Sequence, residues 1–371
     1  MEATTIGIDL AKSTFHLVGM DRRGKVVWRK ALARRQVLEF LARLKPAVVG
    51  MEACATAHYW GREIQKLGHE VRLINPSFVK PYRKGGKNDF NDAEAICEAL
   101  SRPTMRFVEV KSLAQQDMQS LHRVRQLVLK QRTQTANQLR GLLAEYGLVT
   151  RRGITALRRA VAAWSDEPQR LTALMGQLAA ANLEMLAGLE RQLKELDRRI
   201  AQACRADERC WRLAEVNGIG PVTATAAVAK IGNARQFPNG RALGAFWGIV
   251  PGQHSSGGKT VLGGISKHGD RYMRTLLIHG ARAALRVAAR QRDPRSLWAT
   301  RLKLKSGANV AAVALANKNA RVIWKLLTSG ERFRPQPPAT EAERAQTAQR
   351  LASEKRAGRR VAVRLEHELK I

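Results

Sequence analysis

Short runs of β-branched and apolar residues, separated by turn residues, dominate the first hundred positions of the chain. Such runs predict strands, and apolar residues that recur every three or four positions between them predict helices. The predicted elements in order are strands at 4–10, 14–20 and 25–32, a helix at 36–45, a strand at 46–53, a helix at 57–68, a strand at 70–76, and a helix from Asp89 to about Ser101. The order β-β-β-α-β-α-β-α predicts an α/β domain that opens with an antiparallel meander.

The pattern changes near Val110, where the helical period becomes continuous. Residues 113–147 and 171–204 each repeat apolar positions at three- and four-residue steps, with charges between them. Two long helices in succession predict an antiparallel coiled-coil hairpin. Such a hairpin typically spaces or dimerises domains.

The rest of the chain combines a glycine-rich stretch with two basic helices, predicted at 271–290 and 309–330, and ends in a strongly basic segment. The final segment has a composition suited to folding on a nucleic acid. The sequence therefore predicts an α/β domain at 1–105, a coiled-coil spacer or oligomerisation region at 106–208, a mainly helical domain at 209–330 and a basic tail at 331–371.

The charge balance indicates the class of partner. Among 371 residues, 65 are Lys or Arg and 31 are Asp or Glu, which gives a formal net charge of +34. Such an excess makes a polyanion the expected partner, either a nucleic acid or a membrane surface. Hydrophobic residues make up 44% of the chain, enough to build cores, so global disorder is not expected.

The sequence favours nucleic acid over membrane. It contains no apolar run long enough to span a bilayer, no lipidation motif and no leader-like N-terminal segment. The four cysteines, Cys54, Cys97, Cys204 and Cys210, show no zinc-ligand spacing, and we interpret them as reduced structural thiols. We therefore expect a cytoplasmic, nucleic-acid-binding protein.

Four acidic residues of the first domain fall at unusual places. Asp9 lies inside the first predicted strand, where an unpaired carboxylate is unfavourable, and Glu52 ends the fourth. Asp89 and Asp92 open the last helix three residues apart, so they share a face and repel each other. By analogy, an RNase H-like fold would place the first and fourth strands side by side and lay the last helix across them.

Convergence of these acids would create a site for divalent cations. Several carboxylates in one pocket cannot all stay ionised without a compensating charge. Mg²⁺ prefers oxygen ligands, and two such ions can clamp the attacking and leaving oxygens of a phosphoryl transfer. The simpler alternatives are that Asp89 only caps its helix and that Asp92 only compensates the helix dipole.

A second candidate site lies in the glycine-rich segment 248–282. Glycines let a backbone approach phosphate closely, and lysine and arginine bind it. A serine here acts either as a nucleophile that attacks phosphorus or as a hydrogen-bonding member of a flexible phosphate-gripping loop. The residues concerned are Ser255, Ser256, Lys259, Lys267, Arg271 and Arg274.

Residues 217–224, NGIGPVTA, look like a helix-hairpin-helix turn. The backbone at Gly218 and Gly220 would then bind DNA phosphate without reading sequence. The alternative is an ordinary turn between two helices.

These stretches together resemble the insertion-sequence transposases of family 110, especially their subgroup 1111. The resemblance is carried by GIDLAK, MEACATAHYW, INPSFVKPYRKGGKNDFNDAEAI, VNGIGPVTA and the segment 248–282, in the family's order. It implies an RNase H-like (RuvC-like) domain whose Asp-Glu-Asp-Asp set falls on Asp9, Glu52, Asp89 and Asp92 and binds Mg²⁺. It also implies a nucleophilic serine directly before a glycine, which maps to Ser256, with Ser255 as the alternative.

The resemblance further implies a recombinase guided by a structured noncoding bridge RNA that pairs with target and donor DNA. Members of the family act as tetramers, or dimers of dimers, in which the acids of one subunit and the serine of another complete a site. The serine would form a covalent phosphoserine link to DNA. The basic tail is not covered by the resemblance.

Two other functions stay open on the residues alone. A metal-dependent nuclease of the Holliday-junction type would use water in place of Ser256. A non-catalytic RNA- or DNA-binding protein would account for the charge but not for the acids.

Overall fold

The computed structural model describes residues 2–334 except Lys87, Asp166, Pro168, Gln169 and Arg292, together with Thr340 and Gln349. The chain divides into two compact units, Met1–Gln116 and Asp117–Ile371. Most of the predicted basic tail lies outside the described residues, and the finer four-part division stays a prediction. Within the described ranges, no helix has the length and apolar character needed to cross a membrane.

The first unit is built on a six-stranded mixed sheet. Its elements are β1 (Thr5–Asp9), β2 (Thr14–Met20), β3 (Val26–Ala33), α1 (Val37–Ala42), β4 (Val48–Glu52), α2 (Ala57–Lys66), β5 (Glu70–Ile74), α3 (Pro76–Val79), α4 (Asp89–Leu100) and β6 (Phe107–Val108). The strand order is β3-β2-β1-β4-β5-β6, in which β1–β4 and β4–β5 are parallel and the other neighbours antiparallel. The predicted α/β order is confirmed, whereas the one-turn α3 and the two-residue edge strand β6 are too short to show in the hydrophobic pattern.

The alternation of side chains along β1 decides which residues meet α4. Ile6 and Ile8 are fully buried in a cluster with side chains of α1 and α2. Gly7 lies on the opposite face, where a Cβ would come 2.1 Å from the Ala93 carbonyl oxygen of α4. Only glycine permits this approach, because a backbone atom cannot give way as a side chain can. Asp9 follows Gly7 by two residues and therefore lies on the α4 face as well.

Among the residues that the structure describes, the second unit is helical apart from one β-hairpin. Its elements, together with the long helix that leads into it, are α5 (Leu113–Ala144), α6 (Ile154–Ser165), α7 (Ala173–Ala206), α8 (Glu208–Ala214), α9 (Pro221–Ile231), α10 (Gly240–Phe246), β7 (Pro251–Ser256), β8 (Lys259–Ile265), α11 (Arg271–Val287), α12 (Pro294–Ser306) and α13 (Ala308–Ser329). The four helices predicted beyond residue 110 are confirmed as α5, α7, α11 and α13. The segment between α5 and α7, predicted only as a connection, contains α6.

The long helices α5 and α7 run antiparallel. Arg125 donates a hydrogen bond to Asp197 over 2.5 Å, and Thr135 donates one to the Met185 sulfur over 3.6 Å. Later residues of α5 therefore contact earlier residues of α7. Buried leucine and valine side chains from both helices form an apolar cluster between these two contacts.

A polar network is buried where α5, α9 and α11 pack together. His122 is only 3% exposed. Its Nδ1 lies 2.9 Å from the Tyr272 hydroxyl and its Nε2 lies 3.0 Å from the Thr225 hydroxyl. The Thr225 hydroxyl donates to the Pro221 carbonyl oxygen, so it accepts from Nε2–H, and Nδ1 accepts from Tyr272. The network thus holds a neutral imidazole.

We expect this network to make stability fall in mild acid. Burial, aided by the charges of Arg125 and Lys230, lowers the pKa of His122 from 6.5 to about 4. Between about pH 4 and pH 6.5, His122 is therefore protonated in the unfolded chain but neutral in the folded one. Stability is fully present above pH 6.5 and is lost as the pH falls toward about 4, by on the order of 3 kcal/mol.

Denaturant unfolding, monitored by hydrogen exchange of the α9 amides at several pH values, measures how steeply the free energy of unfolding changes with pH. His122→Gln should flatten this slope, whereas the exposed His279 provides a matched control, and His279→Gln should leave it unchanged. Equal slopes in the two variants would contradict the assignment.

The four cysteines are free thiols, as interpreted from the sequence. Cys97, Cys204 and Cys210 are buried, and burial raises the pKa of Cys97 and of Cys210 to about 12. Cys54 is exposed, so its side chain is not part of a core.

Candidate carboxylate site and serine hairpin

The first candidate site lies where the two central strands end. Parallel strands β1 and β4 pair up to Ile8 and Met51, so the next residues, Asp9 and Glu52, lie side by side. Neighbouring strands are about 4.8 Å apart, which brings two carboxylates close together at one edge of the sheet. Both follow a glycine by two residues, and both therefore lie on the face covered by α4.

The N-terminus of α4 contributes the other two acids. Its N-cap is Asn88, whose side-chain oxygen accepts a hydrogen bond of 2.9 Å from the Phe90 N–H. The alternative in which Asp89 only caps the helix is therefore wrong. Asp89 and Asp92 both occupy the first turn, and they share a face.

The structure brings three of the four predicted acids within metal-ligand spacing, and the fourth, Glu52, lies close enough for the charges of two of them to act on it. One carboxylate oxygen from each of Asp9, Asp89 and Asp92 lies within 4.8 Å of the other two. Burial raises the pKa of Glu52, and the charges of Asp9 and Asp92 raise it further against the opposing charge of Arg83. In the part of the chain that is described, no other group of three His, Cys, Asp or Glu side chains has this spacing.

This donor set fits a divalent cation that prefers oxygen ligands. Like charges from three separate elements, β1, β4 and α4, converge, and beside burial the charges of Asp9 and Asp92 contribute to the raised pKa of Glu52. A hard cation with carboxylate ligands removes this repulsion and retains positions for phosphate oxygens. Asp9, Glu52, Asp89 and Asp92 are the residues that would hold it.

Two basic side chains adjoin the acids, and the sequence pattern does not single out either. His16 pairs with Asp9 across β1 and β2, and its Nδ1 lies 3.4 Å from an Asp89 oxygen. Arg83, from the basic loop before α4, places Nη1 3.4 Å from an Asp92 oxygen. The antiparallel β1–β2 register, which pairs His16 with Asp9, could have identified His16. The position of Arg83 in the loop that leads into α4 could have identified Arg83. Arg83 partly neutralises Asp92 in the protein without a metal.

The serine segment is a β-hairpin rather than the flexible loop expected from its glycines. Strands β7 and β8 are antiparallel and are joined by Gly257 and Gly258, whose φ angles are 56° and 75°. Positive φ at both central residues defines the type I′ turn that suits the twist of a two-residue hairpin. The glycines are therefore needed for the turn itself, and the serines belong to a paired strand.

The hairpin places the two serines on opposite faces. Ser256 pairs with Lys259, and Ser255 pairs with Thr260. Successive residues of a strand point to opposite faces, whereas cross-strand partners share one. Gln253 donates a hydrogen bond of 2.8 Å to the Ser255 hydroxyl. Ser256 is the exposed last residue before the turn, and it shares its face with the Lys259 ammonium.

The remaining predicted cations lie at the base of the hairpin. Lys267 and Arg271 are exposed, and Lys267 has a φ angle of 57°. Arg274 is half-buried, and its Nη1 donates to the carbonyl oxygens of Trp247 and Gly269 over 3.1 and 3.4 Å. Arg274 therefore fixes the two segments that flank the hairpin, while Lys267 and Arg271 face solvent.

The predicted helix-hairpin-helix turn precedes α9. Gly218 has a φ angle of 88°, and a Cβ there would come 2.9 Å from the Gly280 carbonyl oxygen of α11. The fully buried Asn319 also donates to the Asn217 carbonyl over 3.4 Å. A Cβ on Gly220, the N-cap of α9, would meet nothing within 4 Å. Gly218 is therefore required for packing against α11. Gly220, by contrast, has free space beside it and borders a cavity of 390 Å³.

Comparison with known proteins supplies the family. A family model described as "Transposase IS116/IS110/IS902 family" matches residues 210–295, and an IS110-type DEDD model described as "Transposase" matches residues 6–148. The first covers the serine hairpin, and the second covers all four acids.

Curated relatives match over nearly the whole chain. A "Probable family 20 transposase" of Pseudomonas aeruginosa is 52% identical over 90% of this chain and 100% of its own length. The "Transposase for insertion sequence element IS1111A" of Coxiella burnetii is 43% identical over 89% of this chain and 91% of its own length. The "Transposase for insertion sequence element IS1328" of Yersinia enterocolitica is 40% identical over 89% and 98%, respectively. The resemblance found in the sequence is confirmed, and the chain belongs to the IS110/IS116/IS902 family of transposases, which are enzymes that act on DNA.

Proposed function

We propose that this transposase cleaves and rejoins DNA strands by combining the carboxylate cluster of the first unit with Ser256 of the second. The first unit would act as an RNase H-like (RuvC-like) domain, and the antiparallel helices α5 and α7 as a coiled-coil spacer and oligomerisation element. The clustering of Asp9, Asp89 and Asp92, with Glu52 close enough for two of their charges to raise its pKa, carries the proposal. Acids that repel one another destabilise a fold unless a cation binds them.

The acids would hold Mg²⁺, which supplies positive charge for the oxygens of the scissile phosphate. Asp89 and Asp92 lie on the rigid first turn of α4, and Asp9 and Glu52 end hydrogen-bonded strands, so the ligand geometry is fixed before substrate binds. Arg83 would exchange its contact with Asp92 for one with the DNA backbone.

Ser256 would supply the nucleophile. Its Oγ forms a bond to phosphorus, the bond from phosphorus to the leaving nucleotide oxygen breaks, and that oxygen takes up a proton. The phosphoserine conserves the phosphodiester energy, so a hydroxyl of another strand can reverse the step and rejoin the DNA. Lys259 beside Ser256 would hold the phosphate, as would Lys267 and Arg271 at the base of the hairpin. Arg274 would support this group from the base.

A guide RNA would select the sites. The chain carries a net charge of +34 with only 5% aromatic residues, which suits holding nucleic-acid backbones better than reading or stacking bases. Pairing of a structured noncoding bridge RNA with target and donor DNA would then supply sequence choice, as in RNA-guided systems generally. The backbone at Gly218 and Gly220 would add a contact to DNA phosphate. The assembly would be a tetramer, built as a dimer of dimers.

A junction-resolving nuclease is the second candidate, because it shares the carboxylate cluster and needs no serine. A test in cells separates the two. We expect Asp9→Asn and Ser256→Ala each to abolish transposition of a marked element, while Gln253→Ala, on the other face of the hairpin, retains it. Full activity of Ser256→Ala would favour the nuclease, and full activity of Asp9→Asn would leave only a binding role.

The guide is tested separately by sequencing RNA that co-purifies with the wild-type protein. We expect one discrete species encoded beside the transposase gene. A heterogeneous mixture of cellular RNAs would contradict RNA guidance.

A further inference from the structure

The register of the serine hairpin places a histidine on the face of the nucleophile. His254 pairs with Val261 and Ser256 pairs with Lys259, with no irregularity between these pairs. Residues two apart in a strand share a face at a spacing of about 7 Å, within which an imidazole and a hydroxymethyl group can meet. Ser255, between them, points to the other face, where Gln253 binds it.

We propose that His254 is the proton acceptor for the Ser256 hydroxyl, a role that rests on the proposed function of Ser256 as the nucleophile. A serine hydroxyl is a weak nucleophile unless an adjacent base takes its proton. Imidazole is the side chain best suited to this near neutral pH, because it can both accept and return a proton there.

The other groups of the hairpin do not fill this role. His254 and Lys259 are its titratable side chains, and an ammonium offers no lone pair to accept a proton. Lys259 lies directly across from Ser256, where its charge favours departure of the proton and binding of phosphate. The other charged or titratable groups at the base are Lys267, His268, Asp270 and the arginines that begin α11. The Asp270 carboxylate caps α11 and is paired with Lys230.

With His254 as the proton acceptor, the protons balance in both directions of the reaction. In cleavage, the Ser256 proton moves to an imidazole nitrogen as the Oγ–P bond forms and the P–O bond to the leaving nucleotide breaks. The leaving oxygen takes its proton from water. In rejoining, a nucleotide hydroxyl attacks phosphorus and gives its proton to water, the P–Oγ bond breaks, and the imidazolium returns its proton to the Ser256 oxygen. His254 thus acts as base in one direction and as acid in the other.

The test uses the full chain, purified from cells that carry the complete insertion element, with whatever RNA it retains. A supercoiled plasmid bearing the joined ends of that element is the probe, and the initial rate of denaturant-resistant protein–DNA adduct formation is the readout. The rate is measured from about pH 5 to about pH 8, the range in which an imidazole changes its protonation. The variants are His254→Gln, His254→Ala with and without added imidazole, and Gln253→Ala as the control on the opposite face.

We expect His254→Gln to form the adduct about a hundredfold more slowly and to lose the rise in rate toward neutral pH. Free imidazole should restore part of the rate to His254→Ala, because a small base can fill the space left by the side chain, and Gln253→Ala should match the wild type. A His254→Gln protein with the wild-type rate and pH profile overturns the inference. So does a slow His254→Ala protein that keeps the wild-type profile and gains nothing from imidazole, because that result indicates a structural role.

The same assay distinguishes an error in the proposed role of Ser256 from an error in the proposed role of His254. If the wild-type protein cuts the plasmid but forms no adduct, Ser256 is not the nucleophile, and both proposals fall. If the wild type forms the adduct and the His254 variants form it equally well, only the role of His254 falls.

Discussion

Glu52→Gln is expected to stabilise the metal-free protein and, in the same protein, to abolish transposition. Burial and the charges of Asp9 and Asp92 raise the pKa of Glu52, which means that its ionised form opposes folding. Glutamine keeps the shape and removes the charge. The substitution therefore removes repulsion from the empty site while deleting a ligand from the filled one.

The pH dependence follows from the direction of the shift. A carboxyl whose pKa is raised on folding contributes stability below its unfolded value, here 4.5, and that contribution is lost as the pH rises through the folded value. The variant should therefore melt above the wild type at neutral pH, and the difference should vanish in acid below about pH 4.5. In transposition we expect a loss of about a thousandfold or more, equivalent to about 4 kcal/mol of transition-state stabilisation.

Thermal unfolding with a chelator and with Mg²⁺ measures both effects. Wild-type protein should gain melting temperature on adding Mg²⁺ by mass action, and Glu52→Gln should gain much less. Glu39→Gln is the matched control, since Glu39 lies exposed on α1 in a surface ion pair with Arg43. A Glu52→Gln protein that is less stable than the wild type in chelator would show that the carboxylate supports the fold rather than a cation.

Much of the first unit can be predicted from its sequence because each element buries one face. Ile6 and Ile8 alternate with Gly7 and Asp9, so the strand and the orientation of its acid follow from one pattern. Strand β6 could not be predicted this way, because a strand of two residues is too short to show the alternation of buried and exposed positions. The parallel pairing of β1 with β4 rests on long-range contacts and was reached only by analogy with a known fold.

The hairpin conformation of the serine segment could not be predicted from its sequence. The run Ser256-Gly257-Gly258-Lys259 reads as a flexible phosphate loop by composition, yet two glycines with positive φ are also the signature of a type I′ turn. The alternation needed to recognise the flanking strands is hidden because the hairpin is exposed on both faces and carries no apolar stripe. Once the register is known, the two serines are no longer equivalent.

Ser256→Ala is therefore expected to abolish the covalent protein–DNA adduct, whereas Ser255→Ala retains it. Ser256 ends its strand at the turn and shares its face with Lys259, while the Ser255 hydroxyl is occupied by Gln253 on the opposite face. Removing the atom that attacks phosphorus should lower adduct formation and rejoining by about four orders of magnitude or more. Ser255→Ala loses one exposed hydrogen bond and should change the rate only slightly.

Denaturing gels of labelled plasmid DNA, followed by mapping of the modified peptide, measure the adduct and identify the residue that carries it. Ser256→Cys adds a second control, because a thiolate can attack phosphorus and would move the adduct to sulfur without changing the hairpin. An adduct on residue 255, or an adduct that persists in Ser256→Ala, would reverse the assignment of the two faces. Strand cleavage without rejoining in Ser256→Ala would mean that the carboxylate cluster can direct water to the phosphate, which would identify the acids as the site of bond breaking and Ser256 as the residue that makes the break reversible.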